Sequence, residues 1–194
     1  MRQPHTDVRK HILATGYGII SRKGFSAMGL TELLEAAQVP KGSFYHYFES
    51  KEQFGEALLE AYFTDYLQRM EALLNTEDLT ARDRLMRYWL RWRDAQIQDP
   101  DALQCLVVKL SAEVSDLSET MRAVLLRGTD GVLAQLSACV AEGVRDGSLP
   151  RQDPGGAALS LYQLWLGASL LAKVRRDPTP FETALATTRA ALGT

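Results

Sequence analysis

The stretch Val39-Pro-Lys-Gly-Ser-Phe-Tyr-His-Tyr-Phe-Glu-Ser-Lys51 gathers two lysines, a histidine, two tyrosines and a glycine into one short helical reading. Phe44 and Phe48 are four apart, so in a helix they share a face that can dock on a small core. Lys41, Gly42, Ser43, Tyr45, His46 and Tyr47 are left pointing elsewhere. A face poor in carboxylates and amides but rich in Lys, Tyr and His suits phosphates and base edges. A different chemistry is available at Cys105. Asp101 is a plausible helix cap, which would place Cys105 just beyond a first turn, with Lys109 four residues on along the same face. A helix N-terminus and an ammonium both favour thiolate. A thiolate attacks quinones, maleimides, aldehydes and hypochlorous acid, and starts the oxidation ladder. The alternative is a small buried hydrophobe, the usual fate of a free cysteine. That reading suits Cys139, which lies inside the apolar stripe from Leu136 to Val140.

These groups need elements to position them. Val8, Ile12, Leu13, Ile19 and Ile20 keep helical spacing, so a first amphipathic helix is expected over residues 7–23. Arg22-Lys23-Gly24 closes it, with cations at the end and a glycine beyond. Leu30 to Ala37 reads as a second short helix, Gln38-Val39-Pro40 as a tight link that Pro40 keeps from continuing as helix, and Lys41 to Tyr47 as a third helix. Two short helices around such a turn make a helix-turn-helix.

The run Gly24-Phe25, then Leu30-Thr-Glu-Leu-Leu-Glu-Ala-Ala-Gln-Val-Pro-Lys-Gly-Ser-Phe-Tyr-His-Tyr-Phe-Glu-Ser-Lys51, resembles the DNA-binding domain of the TetR family of transcriptional repressors over residues 7–55. Two later stretches, Cys105-Leu-Val-Val-Lys-Leu-Ser-Ala-Glu-Val114 and Tyr162-Gln-Leu-Trp-Leu-Gly-Ala-Ser169, the latter followed by Lys173, resemble the branch of N-ethylmaleimide reductase repressors (NemR-like). The resemblance implies an all-α fold: a three-helix DNA-binding domain over 1–50 and a helical sensing and dimerising domain over 51–194. It implies a homodimer on a palindromic operator, joined through the last two long helices. Lys41 and Gly42 would open the recognition helix, Ser43 and Tyr45 would touch base edges, and His46, Tyr47 and Lys51 would meet phosphates or bases. Tyr45 packing inward and Lys51 as a plain solvated lysine stay open as alternatives. Where the family begins its second helix with Thr-Thr, this chain has Met28-Gly29, so a hydroxyl contact is lost there and Thr31 is the nearest substitute. In the NemR-like branch a cysteine in the setting of Cys105 responds to electrophiles; Lys109 and Lys173 are its candidate neighbours.

Composition bounds the rest. The chain has 194 residues, 46% hydrophobic, with formal net charge −2, so it is no globally basic nucleic-acid protein. Residues 1–50 nevertheless carry six Lys/Arg against four Asp/Glu, and all three histidines, while the remainder is net acidic. The N-terminus lacks a signal peptide's apolar core, and the most apolar run, Ala157 to Ala172, falls short of the roughly 20 residues that span a bilayer. Two cysteines make no disulfide framework. The bacterial cytoplasm, with no membrane, is the expected location. Helices are expected over 51–74, 82–97, 101–114, from Ser118 onward, 154–173 and 181–192. The helix spanning 157–172 is apolar nearly all round, which calls for cover on every side: a central core position or a subunit interface. Trp89, Trp92, Tyr162 and Trp165 could line a cavity for a reversible ligand or simply fill the core. No metal-ligand spacing, phosphate loop or nucleophile–base pair is present, so no cofactor and no enzyme activity are expected. A helical enzyme or interaction module without a DNA role is the alternative of another class.

Overall fold

The computed structural model describes residues 5–98 and 105–193. Among these, nine helices and no strand are found: α1 His5–Lys23, α2 Leu30–Ala37, α3 Lys41–Tyr47, α4 Lys51–Leu74, α5 Ala81–Gln98, α6 Leu106–Leu117, α7 Glu119–Asp146, α8 Pro154–Arg175 and α9 Thr179–Leu192. The boundaries follow local chemistry. Pro40 precedes α3 and supplies a fixed φ of −68° at its N-cap. Asp153 caps α8 by accepting from the Gly156 amide at 2.7 Å, with Pro154 at the first helical position. Gln38 ends α2 in the left-handed region at φ 53°, its amide shared between the Leu34 and Glu35 carbonyls.

The chain forms two compact units. The first combines residues up to 63 with 101–127; the second combines 64–100 with 128–194. Both breaks fall inside helices, so α4 and α7 each contribute to both units, and the sequence boundary after residue 50 lies within the first unit.

In the first unit α3 sits on an aromatic triad. Phe44 of α3, Phe48 just past its end and Phe54 of α4 are buried, with ring centroids 5.2–5.7 Å apart. Phe54 also presses on α1 at Gly16, where an added Cβ would lie 2.3 Å from the ring. Lys23 of α1 pairs with Glu32 of α2, and the His11 ring meets the Ala37 carbonyl at 2.9 Å. Helix α2 is thereby fixed to α1 at both of its ends.

In the second unit, Trp89 and Trp92 of α5 pack on Tyr162 and Trp165 of α8. The Trp89 and Trp165 rings stack at 5.2 Å, and Trp165 continues onto Phe181 of α9. The Trp92 indole donates to Ser169 and the Trp165 indole to Thr188, both at 2.9 Å. Arg84 is buried, donating to the Leu74 carbonyl and to Glu142 at 2.6 Å each, so one guanidinium joins the end of α4 to α5 and α7. By length and composition alone α7 and α8 are long and apolar enough to cross a bilayer, as a core helix also can be; the apolar run Ala157–Ala172 lies inside the 22 residues of α8. Leu159, Leu170 and Val174 of α8 are exposed at three-four helical registers, opposite the face that holds Tyr162 and Trp165.

Candidate functional site

The polar side of α3 matches the expectation in its exposure. Lys41, Gly42, Tyr45 and His46 are exposed, and Ser43 and Tyr47 are half-buried. Tyr45 points outward, 48% exposed, with the Lys41 ammonium 5.7 Å from its ring centroid and Phe44 edge-on beneath it. The inward-packing alternative for Tyr45 is therefore not the one adopted. His46 and Tyr47 meet edge to face at 4.8 Å. Arg9 of α1 lies over the Phe48 ring at 5.5 Å, adding a cation beside α3 that the sequence reading did not single out. Helix α2 starts at Gly29 without a side-chain cap, and Thr31 is exposed in its first turn. The face has one gap. The Lys51 ammonium lies 4.8 Å over the Phe25 ring and donates to the Ser26 carbonyl at 3.3 Å. Burial lowers its pKa, opposed by the nearby Glu113 carboxylate. Lys51 thus ties α4 to the α1–α2 turn, a role that neither the phosphate contact nor the plain solvated lysine anticipated.

Cys105 is placed differently from expectation. Helix α6 begins at Leu106, and Cys105 is its N-cap rather than a residue beyond the first turn. Asp101, the expected cap, lies outside the described residues. Lys109 does not approach the sulfur: its ammonium donates to the Arg22 carbonyl at 3.0 Å, at the negative end of α1. The group at the sulfur is Tyr62 of α4, whose hydroxyl stands 4.0 Å from Cys105 Sγ and whose ring stacks on Tyr17 of α1. Burial pushes the Cys105 thiol above its ordinary value; the amides of Val108 and Val107 and the Tyr62 hydroxyl pull it down, but by less. The helix terminus acts as expected, and desolvation outweighs it. The resting group is a neutral thiol. Lys173 is exposed near the end of α8 and belongs to the second unit, while Cys105 belongs to the first. Cys139 is buried in the second unit, its thiol pushed up to about 11 by burial, in keeping with a core role.

Helix α6 continues to the α1–α2 turn. Glu113, two turns after Cys105, accepts the Phe25 amide at 3.1 Å and the Ser26 amide on its other oxygen. Burial works to raise this carboxyl, but the Ser26 and Phe25 hydrogen bonds and the Lys109 charge outweigh it and hold it below 4.5. Ser118, at the end of α6, hydrogen-bonds Glu52 and accepts the Met121 amide that starts α7. Sequence reasoning missed both Tyr62 and Glu113. For Glu113 the available signal was its spacing of four from Lys109, which puts both on one flank of α6; Tyr62 offers none.

The four aromatics pack on one another. Trp89 and Trp165 are fully buried, and Trp92 and Tyr162 nearly so. Two cavities are described, about 530 Å³ beside Asp153, Ser160 and Thr187 and about 330 Å³ beside Glu71, Gln135 and Glu142; none of the four aromatics lines either. Among the described residues no cluster of His, Cys, Asp and Glu could hold a metal ion.

Comparison with known proteins supplies the wider context. Residues 12–58 match the family model "Bacterial regulatory proteins, tetR family", and residues 81–188 match "Tetracyclin repressor-like, C-terminal domain". The HTH-type transcriptional repressor NemR of Escherichia coli strain K12 is 47% identical over 181 residues, covering 93% of this chain and 91% of that protein. The HTH-type transcriptional repressor DhaR of Mycobacterium sp. strain GP1 is 34% identical over 178 residues, covering 91% and 88%. The crystal structure of E. coli NemR in its reduced form superposes with TM-score 0.91 at 46% identity, covering 96% of this chain and 97% of that one.

Proposed function

The chain belongs to the TetR family of bacterial regulatory proteins, and we propose on that premise that it is a repressor which holds a palindromic operator as a homodimer and lets go when Cys105 is modified by an electrophile or oxidant. It acts on double-stranded DNA in the bacterial cytoplasm, as a regulator and not as an enzyme. The exposed side of α3, with Lys41, Tyr45 and His46, enters the major groove, and Thr31, Gly42, Ser43 and Tyr47 complete the contact surface. The apolar stripe of Leu159, Leu170 and Val174 is covered by a second copy rather than by lipid. Small residues on the outward face of α9, Thr183, Ala186 and Ala190, let another helix approach closely. Two-fold symmetry then sets two recognition helices about 34–36 Å apart, one turn of DNA.

The observation that carries the sensing reading is the position of Cys105: half-buried, at the start of the same helix that binds the α1–α2 turn through Glu113. With a maleimide, the thiol proton leaves to solvent, sulfur bonds to an alkene carbon, and the displaced π pair takes up a proton, so no further reactant is needed. The adduct adds bulk in a packed region, where one extra methylene already costs about 1–3 kcal/mol. Helix α6 moves, and the reading heads no longer match the half-site spacing. Gel-shift binding to DNA upstream of the protein's own gene, with and without N-ethylmaleimide, tests this with wild type and Cys105→Ser. Release of wild type alone supports it; release of Cys105→Ser as well refutes it.

A reversible ligand in the second unit is a second reading, favoured by one observation. The Trp89 indole N–H is buried without a hydrogen-bond partner inside the aromatic cluster. A non-reactive compound that releases DNA reversibly, and equally from Cys105→Ser, would favour this reading over the first.

A further inference from the structure

We propose that Glu113 is the positioning residue through which α6 holds the DNA-reading helices, so that a change at Cys105 reaches the recognition helix through this carboxylate; the proposal rests on the reading of Cys105 given above. Helix α6 buries Leu106, Leu110 and Val114 on one face. From its flank Lys109 and Glu113 reach a single turn of chain, residues 22–26. The two charges match what that turn offers. The end of α1 presents carbonyls, and the Lys109 ammonium takes the one at Arg22. Just past the end, the backbone presents amides, and the Glu113 carboxylate takes those of Phe25 and Ser26. A swap of the two residues would set like partial charges against each other.

The turn can accept this grip because of Gly24. Its φ of +90° is open to glycine, and a Cβ there would stand 2.7 Å from the Glu113 carboxylate oxygen. The carboxylate therefore lies directly against the backbone. From the turn, order passes onward: Phe25 is buried under the Lys51 ammonium, and Met28, 1% exposed, leads into α2. Cys105 is eight residues before Glu113, about 12 Å along a helix that rises 1.5 Å per residue. A helix does not shorten to absorb a push at one end. A shift near 1 Å would stretch the 3.1 Å bond from Phe25 past the usual limit for an N–H···O bond.

The test measures operator dissociation constants by fluorescence anisotropy, before and after N-ethylmaleimide, for wild type and Glu113→Gln. The glutamine keeps the size but turns one acceptor into an N–H₂ that faces an amide donor. Wild type is expected to lose about 5–150-fold in affinity on alkylation, the range for coupled sites. Glu113→Gln is expected to bind more weakly when reduced and to change by less than about twofold on alkylation. An unchanged ratio between reduced and alkylated states, at whatever absolute affinity, overturns the proposal and leaves Glu113 merely structural. A flat response in wild type instead overturns the reading of Cys105, and this proposal with it. Should Glu113→Gln fail to fold, hydrogen exchange of the Phe25 and Ser26 amides in the wild-type dimer decides. Faster exchange after alkylation supports the clamp, and unchanged exchange refutes it.

Discussion

Burial of the Cys105 thiol fixes how its reactivity should depend on pH. The charged form is disfavoured, so the thiol titrates above its ordinary value of 9.0. Throughout the range from pH 6.5 to 8.5 only a small and growing fraction is thiolate. That fraction rises about tenfold per pH unit, so the alkylation rate should rise about a hundredfold over the range without levelling off. A thiolate stabilised by a helix terminus and an ammonium would behave otherwise: its rate would plateau below pH 8. Tyr62→Phe sharpens the test. Its hydroxyl pulls the thiol down, so its loss should slow alkylation at pH 7.5. The contact is long, 4.0 Å between oxygen and sulfur, so the expected slowing is about threefold, well under the worth of a full hydrogen bond to a charge. The assay is stopped-flow consumption of N-ethylmaleimide, with mass spectrometry to assign the adduct. Cys139, pushed up to about 11 and buried, should remain unmodified while Cys105 is consumed. A plateau below pH 8, or a faster Tyr62→Phe protein, would refute the argument that desolvation dominates at this sulfur.

Three further predictions follow from the packing and charge of the molecule. Phe44→Ala removes a fully buried ring from the triad with Phe48 and Phe54 and should cost about 3–5 kcal/mol in urea unfolding, with loss of operator binding as α3 comes free. Lys41→Ala should weaken operator binding and, if its ammonium meets a phosphate, reduce the slope of log affinity against log salt by about 0.9 per half-site; an unchanged slope would assign Lys41 to a base edge instead. Leu170→Glu places a charge in the exposed stripe of α8 and should convert the dimer to monomer in sedimentation velocity, with little change in helical circular dichroism; a dimer that survives it would move the interface elsewhere.

What the sequence disclosed was local. Leu30–Ala37, Lys41–Tyr47 and Lys51–Leu74 begin and end where they were read, because Gly29, Pro40 and the apolar spacing act within a few residues. The outward side of α3 was visible for the same reason: Phe44 and Phe48 choose which side turns inward. The start of α6 was misread. Asp101 is a good cap by type, yet the helix starts at Leu106 with Cys105 before it. The environment of Cys105 was beyond reach altogether, since it depends on Tyr62, 43 residues away in the chain, and on how much apolar surface closes over the sulfur. Lys51 shows the same limit. Its place at the start of α4 was clear, but its partners Phe25 and Ser26 come from the α1–α2 turn. Glu113 meets a turn 88 residues earlier, and its spacing of four from Lys109 shows a shared flank but not what that flank meets.

That last span has a consequence for how the protein is made. The amides of Phe25 and Ser26 receive their carboxylate from residue 113. Translation at about 5–20 residues per second needs some 3–13 seconds to go from the end of the recognition helix to that residue. During that interval the newborn N-terminal helices lack the tie that completes them. A ribosome that stalls in between, or a protease that trims the chain there, releases helices that could touch DNA but are missing both Glu113 and Cys105. The tie from Glu113 to the Phe25 and Ser26 amides is thus completed late in synthesis, well after the N-terminal helices it holds have been made.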